Sequence, residues 1–128
     1  MTKLKEIYKC EICGNIVEVL HIGNGELVCC GKPMELQIEK FEDVGNEKHV
    51  PILEKRNNVS VVKVGQDAHP MENEHYIEWI EVIFSEGSGY RMFLKPNDIA
   101  ECKVNFMDEI KEVRAYCNVH GLWRNNIS

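Results

Sequence analysis

Four cysteines fall in two pairs near the start of the chain, Cys10-Glu11-Ile12-Cys13 and Cys29-Cys30. Four thiolates brought to one point favour a tetrahedral zinc or iron ion. Two intervening residues let Cys10 and Cys13 meet one ion at a tight turn. The second pair is adjacent, where a common zinc ribbon would place two residues between its cysteines. Neighbouring Cβ atoms diverge along an extended chain. Cys29 and Cys30 therefore share an ion only if the backbone reverses sharply, and the sulfur geometry is expected to depart from a regular tetrahedron. Spacing alone accepts zinc or iron equally.

A second inventory is scattered further along: His49, His69, His75, Cys117 and His120. Taken singly, each histidine reads as a surface residue or a hydrogen-bonded core group. Their settings change that reading. His69-Pro70-Met71 marks a turn ahead of a long apolar run, and His75 stands just before the run. Cys117-Asn118-Val119-His120-Gly121 is a C-x-x-H turn at a strand end, and His49 sits between Lys48 and Val50-Pro51. Strand ends and loops are where a rigid scaffold gathers functional side chains. Four imidazoles and one thiolate make a square-pyramidal set, unusual for zinc and suited to iron. A sixth position, opposite the sulfur, stays open to a small ligand.

The elements that must position these donors are strands. The chain divides near residues 38–42. Residues 1–38 hold short strand-like pieces (Lys5–Lys9, Asn15–His21, Glu26–Val28) among turns at Gly14, Gly23-Asn24-Gly25 and Gly31-Lys32-Pro33. So few residues make too small a core, and a metal staple is the expected remedy. Residues 39–128 read as extended runs: Val59–Val64, Tyr76–Phe84, Tyr90–Leu94, Ile99–Phe106 and Glu112–Cys117. Within Ile99–Phe106, residues Ala100, Cys102, Val104 and Phe106 share one face. Short strands at this spacing, with no amphipathic helix, predict an all-β chain whose second part is a β-sandwich.

Composition excludes several functions. The formal net charge of the 128 residues is −6, which argues against a nucleic-acid surface. No apolar run approaches the ~20 residues of a membrane span. The opening Met1-Thr2-Lys3-Leu4-Lys5-Glu6-Ile7 lacks the apolar centre of a signal peptide. The expectation is a cytoplasmic protein, where clustered thiols bind metals more often than they pair.

With these motifs assembled, the sequence resembles the desulfoferrodoxins, two-iron superoxide reductases, over nearly its whole length. Tyr8-Lys9-Cys10-Glu11-Ile12-Cys13-Gly14-Asn15 and Val28-Cys29-Cys30-Gly31 resemble the desulforedoxin-like module. Glu47-Lys48-His49-Val50-Pro51, His69-Pro70-Met71, His75-Tyr76-Ile77-Glu78-Trp79 and Tyr116-Cys117-Asn118-Val119-His120-Gly121-Leu122-Trp123 resemble the second module. The resemblance implies an Fe(Cys)4 centre at Cys10, Cys13, Cys29 and Cys30 in residues 1–38. It implies an Fe(His)4(Cys) centre in an immunoglobulin-like sandwich over residues 39–128, with His49, His69, His75 and His120 equatorial and Cys117 axial. It further implies a homodimer that reduces superoxide to hydrogen peroxide with electrons from rubredoxin or a similar small donor. One departure stands out: Ala115 occupies a position where some relatives carry a carboxylate, which puts in doubt a role there in product handling.

Lys48 is then the expected cation for steering and stabilising superoxide, and Glu47 the group that closes the open position or organises water. Without His49 beside them the two would read as a solvated charge pair. Cys102 reads as a buried core thiol, His21 as a surface or inter-subunit residue, and Trp79 as sandwich packing. Tyr76 and Trp123 are expected near the metal as shields. Competing readings are a non-catalytic iron electron carrier, a zinc-stapled interaction module and a dismutase.

Overall fold

The computed structural model describes residues 1–42, 49–105 and 109–127, and these form two compact units, Met1–Ile38 and Glu39–Ser128. All regular structure among the described residues is β. Among the described residues no helix is long and apolar enough to cross a membrane.

In the first unit, β1 (Ile7–Lys9) pairs antiparallel with β2 (Ile16–Glu18) and with β5 (Glu35–Leu36). β3 (Val28–Cys29) and β4 (Lys32–Pro33) form a separate hairpin. Only Thr2, Ile7, Cys10 and Val19 are buried there, too little apolar surface for an independent core. The strands are shorter than the sequence suggests: Lys5, with a φ of 72°, stands outside β1, and β2 stops at Glu18.

Among the described residues the second unit is a seven-stranded immunoglobulin-like sandwich. β6 (Pro51–Arg56), β7 (Val59–Val64) and β10 (Glu101–Val104) make one sheet in the order β10-β7-β6. β8 (Ile77–Phe84), β9 (Gly89–Phe93), β11 (Ile110–Cys117) and β12 (Gly121–Asn126) make the other, in the order β12-β11-β8-β9. Both sheets contribute to one core: Val62, Val64, Cys102 and Val104 from the first, Ile80, Val82, Phe84, Val113, Ala115 and Cys117 from the second. Cys102 is a core thiol as expected, and burial raises its pKa.

Two strands of this unit were not evident from the sequence. β6 is joined to β7 by Asn57-Asn58, whose φ values of 52° and 67° make a two-residue loop with both central residues left-handed, the hairpin geometry that Asn tolerates. β12 follows the Cys117–His120 turn directly. β10 is shorter than the expected Ile99–Phe106: Ile99 is exposed, and Phe106 lies outside the described residues.

β11 is buried on both faces from Val113 to Cys117. Opposite the core face, Trp79 and Tyr116 are cross-strand partners with stacked rings 4.6 Å apart. Beside them Glu81 pairs in register with Arg114 on β11 and Arg91 on β9. Its carboxylate accepts bonds from both guanidiniums, at 2.6 Å from Arg114 Nε and 2.7 Å from Arg91 Nη2. Arg114, 2% exposed, also bridges Glu39 at 3.2 Å. Glu81, a charge inside an apolar run, is thus buried and paired.

Removing one partner of a buried ion pair leaves the other charge uncompensated. Glu81→Ala should therefore lower the unfolding free energy by about 3–5 kcal/mol, measured as a shifted denaturant midpoint. A loss below about 1 kcal/mol, the scale of a surface pair, would contradict this account.

Candidate metal centres

The four cysteines of the first unit converge, one sulfur from each lying within 4.8 Å of the others. Cys10 and Cys13 flank a turn after β1, closed by the Gly14 amide donating to the Cys10 carbonyl at 2.9 Å. Cys29 ends β3, and Cys30-Gly31 is the two-residue loop into β4, with φ values of 54° and 74°. This left-handed reversal is how adjacent cysteines face one point. Cys13 and Cys29 sulfurs stand 3.6 Å apart, those of Cys29 and Cys30 4.0 Å. A tetrahedron with metal–sulfur bonds near 2.3 Å has edges of about 3.8 Å. The cluster is therefore of the size one ion needs, with unequal edges.

The backbone N–H of Cys13 donates to Cys10 Sγ at 3.5 Å and, with that of Ile12, holds the Cys10 thiol down to about 6. Crowding by the sulfurs of Cys13, Cys10 and Cys29 pushes Cys30 up to about 12. One sulfur ionises readily while another gives up its proton only to a competing cation.

In the second unit, donor atoms of His49, His69, His75, Cys117 and His120 also lie within 4.8 Å of one another. His49 precedes β6 and His69 follows β7, so both come from the end of the three-stranded sheet. His75 precedes β8, Cys117 ends β11, and His120 lies in the turn to β12, at the same end of the other sheet. Gly121 closes that turn with a φ of 85°, a conformation suited to glycine.

The four imidazoles form a ring. Consecutive centroids are 4.6 Å apart for His49–His69, 4.8 Å for His69–His75, 5.0 Å for His75–His120 and 4.7 Å for His120–His49. The diagonal from His49 to His75 is 6.5 Å. A square with 4.8 Å sides has a diagonal of about 6.8 Å, so the arrangement is nearly square. Neighbouring rings are steeply inclined, at 64° to 85°. His49 Nε2 and His120 Nδ1 are 3.0 Å apart, the edge of a square of nitrogens about 2.1 Å from a shared ion.

Several contacts fix the ring. His69 Nδ1 faces the Pro70 carbonyl at 2.8 Å, which selects the tautomer whose Nε2 is the ligand atom. Trp123 stacks on His49 at 4.7 Å and 13°, the shielding position expected of it, and its Nε1–H donates to the His120 carbonyl at 3.2 Å. The same carbonyl accepts from Lys40 Nζ at 2.7 Å. The His120 amide donates to Cys117 Sγ at 3.4 Å. Lys40 carried no signal in the sequence, eighty residues from its partner. Glu47 and Lys48 lie outside the described residues. His21 is exposed, and Ala115 is fully buried in the sandwich core, where a carboxylate would face apolar chains.

Residues 41–126 match the family model described as desulfoferrodoxin, and residues 2–37 the model of the desulfoferrodoxin N-terminal domain. The chain belongs to the desulfoferrodoxin family. A desulfoferrodoxin homolog from Archaeoglobus fulgidus is 54% identical, with 98% of this chain and 99% of that one covered. A protein named superoxide reductase from Pyrococcus abyssi is 33% identical over 69% of this chain and 92% of its own. The crystal structure of the superoxide reductase from Treponema pallidum shares the fold, with a TM-score of 0.77 at 24% identity, over 97% of this chain and 98% of that one. The all-cysteine set and the mixed histidine–cysteine set are the two-iron arrangement of a desulfoferrodoxin. The donor chemistry fits iron at both: four thiolates for one ion, four imidazoles and a thiolate for the other.

Because the thiols must surrender protons to bind a metal, loading of the all-cysteine set should release protons and weaken steadily as pH falls toward 6, where Cys10 protonates. Metal titration with a pH indicator measures both. Binding that is independent of pH between 6 and 8 would contradict the assignment of thiolate ligands.

Proposed function

We propose that this desulfoferrodoxin is a superoxide reductase acting at the mixed histidine–cysteine site of residues 39–128, with residues 1–38 carrying the second iron. The near-square ring of imidazoles is the observation that carries the reading. The five donors, counted among the described residues, would leave a six-coordinate iron one position for a small anion, which a purely structural centre would not need. The superoxide reductase from Pyrococcus abyssi, 33% identical, supports it.

His49, His69, His75, His120 and Cys117 would hold one iron, and Cys10, Cys13, Cys29 and Cys30 the other. Ferrous iron in the mixed histidine–cysteine set would supply the single electron that, with two protons, turns superoxide into hydrogen peroxide. The chain's own residues set the conditions. The Cys117 thiolate would contribute negative charge to the site, and the His120 N–H on its sulfur would moderate that donation. Trp123 over His49 keeps water from that flank.

Lys48 is the proposed catalytic cation, and Glu47 the group that would close the open side of the site between turnovers or order water for protonation. A cation ~4 Å from superoxide contributes roughly 1 kcal/mol in bulk water and about 4 at an intermediate dielectric. In a chain of net charge −6, that local attraction offsets a repelling field. The proposed setting is the reducing cytoplasm, in keeping with six free cysteines.

Electrons would arrive from rubredoxin or a similar small carrier. A second copy of the chain is the proposed partner. A groove of about 560 Å³ in the first unit is lined by Val17, Leu20, His21 and Val28, and Leu20 is 82% exposed. Apolar surface of this kind marks an interaction site.

Rapid mixing of the reduced protein with superoxide tests the activity. The expected result is one hydrogen peroxide per second-site iron oxidised, with no dioxygen formed; dioxygen release in step with peroxide would mean dismutation instead. Lys48→Ile should slow the bimolecular step about tenfold or more, on the scale of one lost charge, and flatten its ionic-strength dependence. An unchanged rate removes Lys48 from the mechanism. Leu20→Asp should shift sedimentation toward the monomer, and an unaltered profile would rule out the groove as the dimer contact.

A further inference from the structure

The regular pairing of β8 with β11 fails where the mixed site begins. Tyr116 opposes Trp79, but Cys117 opposes Ile77, so the register slips by one residue between them. Beyond this bulge the segment carrying His75 enters β8 and the Cys117–His120 turn leaves β11 at the same end of the ladder. Asn118 continues the ladder. Its backbone N–H donates to the Tyr76 carbonyl at 3.2 Å. Its side chain then acts in both directions: Oδ1 accepts from the Tyr76 N–H at 2.9 Å, and Nδ2 donates to the Glu74 carbonyl at 3.0 Å.

Glu74 and Tyr76 are the two neighbours of His75 in the chain, while Asn118 follows Cys117 and stands two residues before His120. One amide group thus ties the peptide on either side of one ligand to the turn that carries two others. Neighbouring backbone contacts of the His75 segment are local. Glu72 and His75 exchange backbone bonds at 2.9 and 3.2 Å, which closes the loop upon itself. The Ile77 N–H meets Met71 Sδ at 3.4 Å, a weak acceptor.

From this geometry we infer that Asn118 is a positioning residue that sets His75 against the Cys117 thiolate, and so sets how firmly the second site grips its metal and how strongly the thiolate donates to it. The requirement is specific. The group must offer an acceptor and a donor from one planar end, about one residue apart along the facing chain, which asparagine does and aspartate, serine and alanine do not. Groups that orient metal ligands typically alter affinity 10–100-fold when removed.

This inference rests on the second cluster being a metal site, and the test separates the two claims. The full-length protein, Asn118→Ala and Asn118→Asp are loaded with iron and challenged with a chelator, the first-site iron serving as reference within each sample. Asn118→Ala should lose second-site iron at least about tenfold faster, with first-site loss unchanged. The midpoint potential of the second iron should rise as thiolate donation weakens, and the Tyr76 amide should exchange faster with solvent. Asn118→Asp, which keeps the acceptor and loses the donor, should protect the Tyr76 amide and fall between the other two in iron loss and potential.

If Asn118→Ala does not fold, the Asp variant alone decides: second-site iron loss faster than in the unaltered protein, with first-site loss unchanged, supports the clamp, and natural retention with a natural potential overturns it. Natural retention and potential in Asn118→Ala overturn it likewise, as does equal acceleration at both irons. Failure of the unaltered protein to bind iron at the second site would sink the site itself.

Discussion

Five donor atoms from the ends of two different sheets have to meet within the reach of a single ion, and this convergence governs the second unit. No single strand or hairpin could supply the set. His49 and His69 belong to the β10-β7-β6 sheet, and His75, Cys117 and His120 to the β12-β11-β8-β9 sheet. Their spacing is therefore a readout of how the two sheets pack. The core of β-branched and aromatic side chains between them keeps that distance constant, since close-packed interiors resist small displacements. Trp123, Lys40 and the Pro70 carbonyl refine the ring positions that packing roughly determines.

The first unit solves the opposite problem. Its four sulfurs come from two turns close in sequence, and the fold around them is barely more than those turns. Left-handed backbone at Cys30 and Gly31 achieves what the adjacency of Cys29 and Cys30 demands. Here the metal set and the fold support one another, whereas in the sandwich the fold stands on its own core and offers a finished site. A local cluster with every position filled suits electron storage or relay. A long-range cluster with one position spare suits chemistry on a small anion.

Legibility in the sequence followed the same division. Both donor sets could be read, because cysteine and histidine at turn positions carry chemistry that their spacing exposes. The sandwich was visible in its long β-branched runs, such as Val59–Val64 and Tyr76–Phe84. What escaped notice depends on partners distant along the chain. Glu81 looks like an interruption of an apolar strand until Arg114 and Arg91 are seen on either side of it. Lys40 and Asn118 act through backbone carbonyls and amides, which have no sequence signature. β12 was hidden because its start is also the end of a ligand motif. β6 was hidden because Pro51-Ile52-Leu53 leads into charged residues that lie along a sheet edge.

Anomalous diffraction at the iron edge from crystals of the iron-loaded chain addresses the convergence most directly. Two peaks per chain are predicted. The second should be enclosed by one nitrogen each from His49, His69, His75 and His120, with Cys117 Sγ on the axis and no protein donor opposite it in the reduced protein. A second peak away from Cys117, or a protein atom fixed in that sixth position in the ferrous state, would contradict the account.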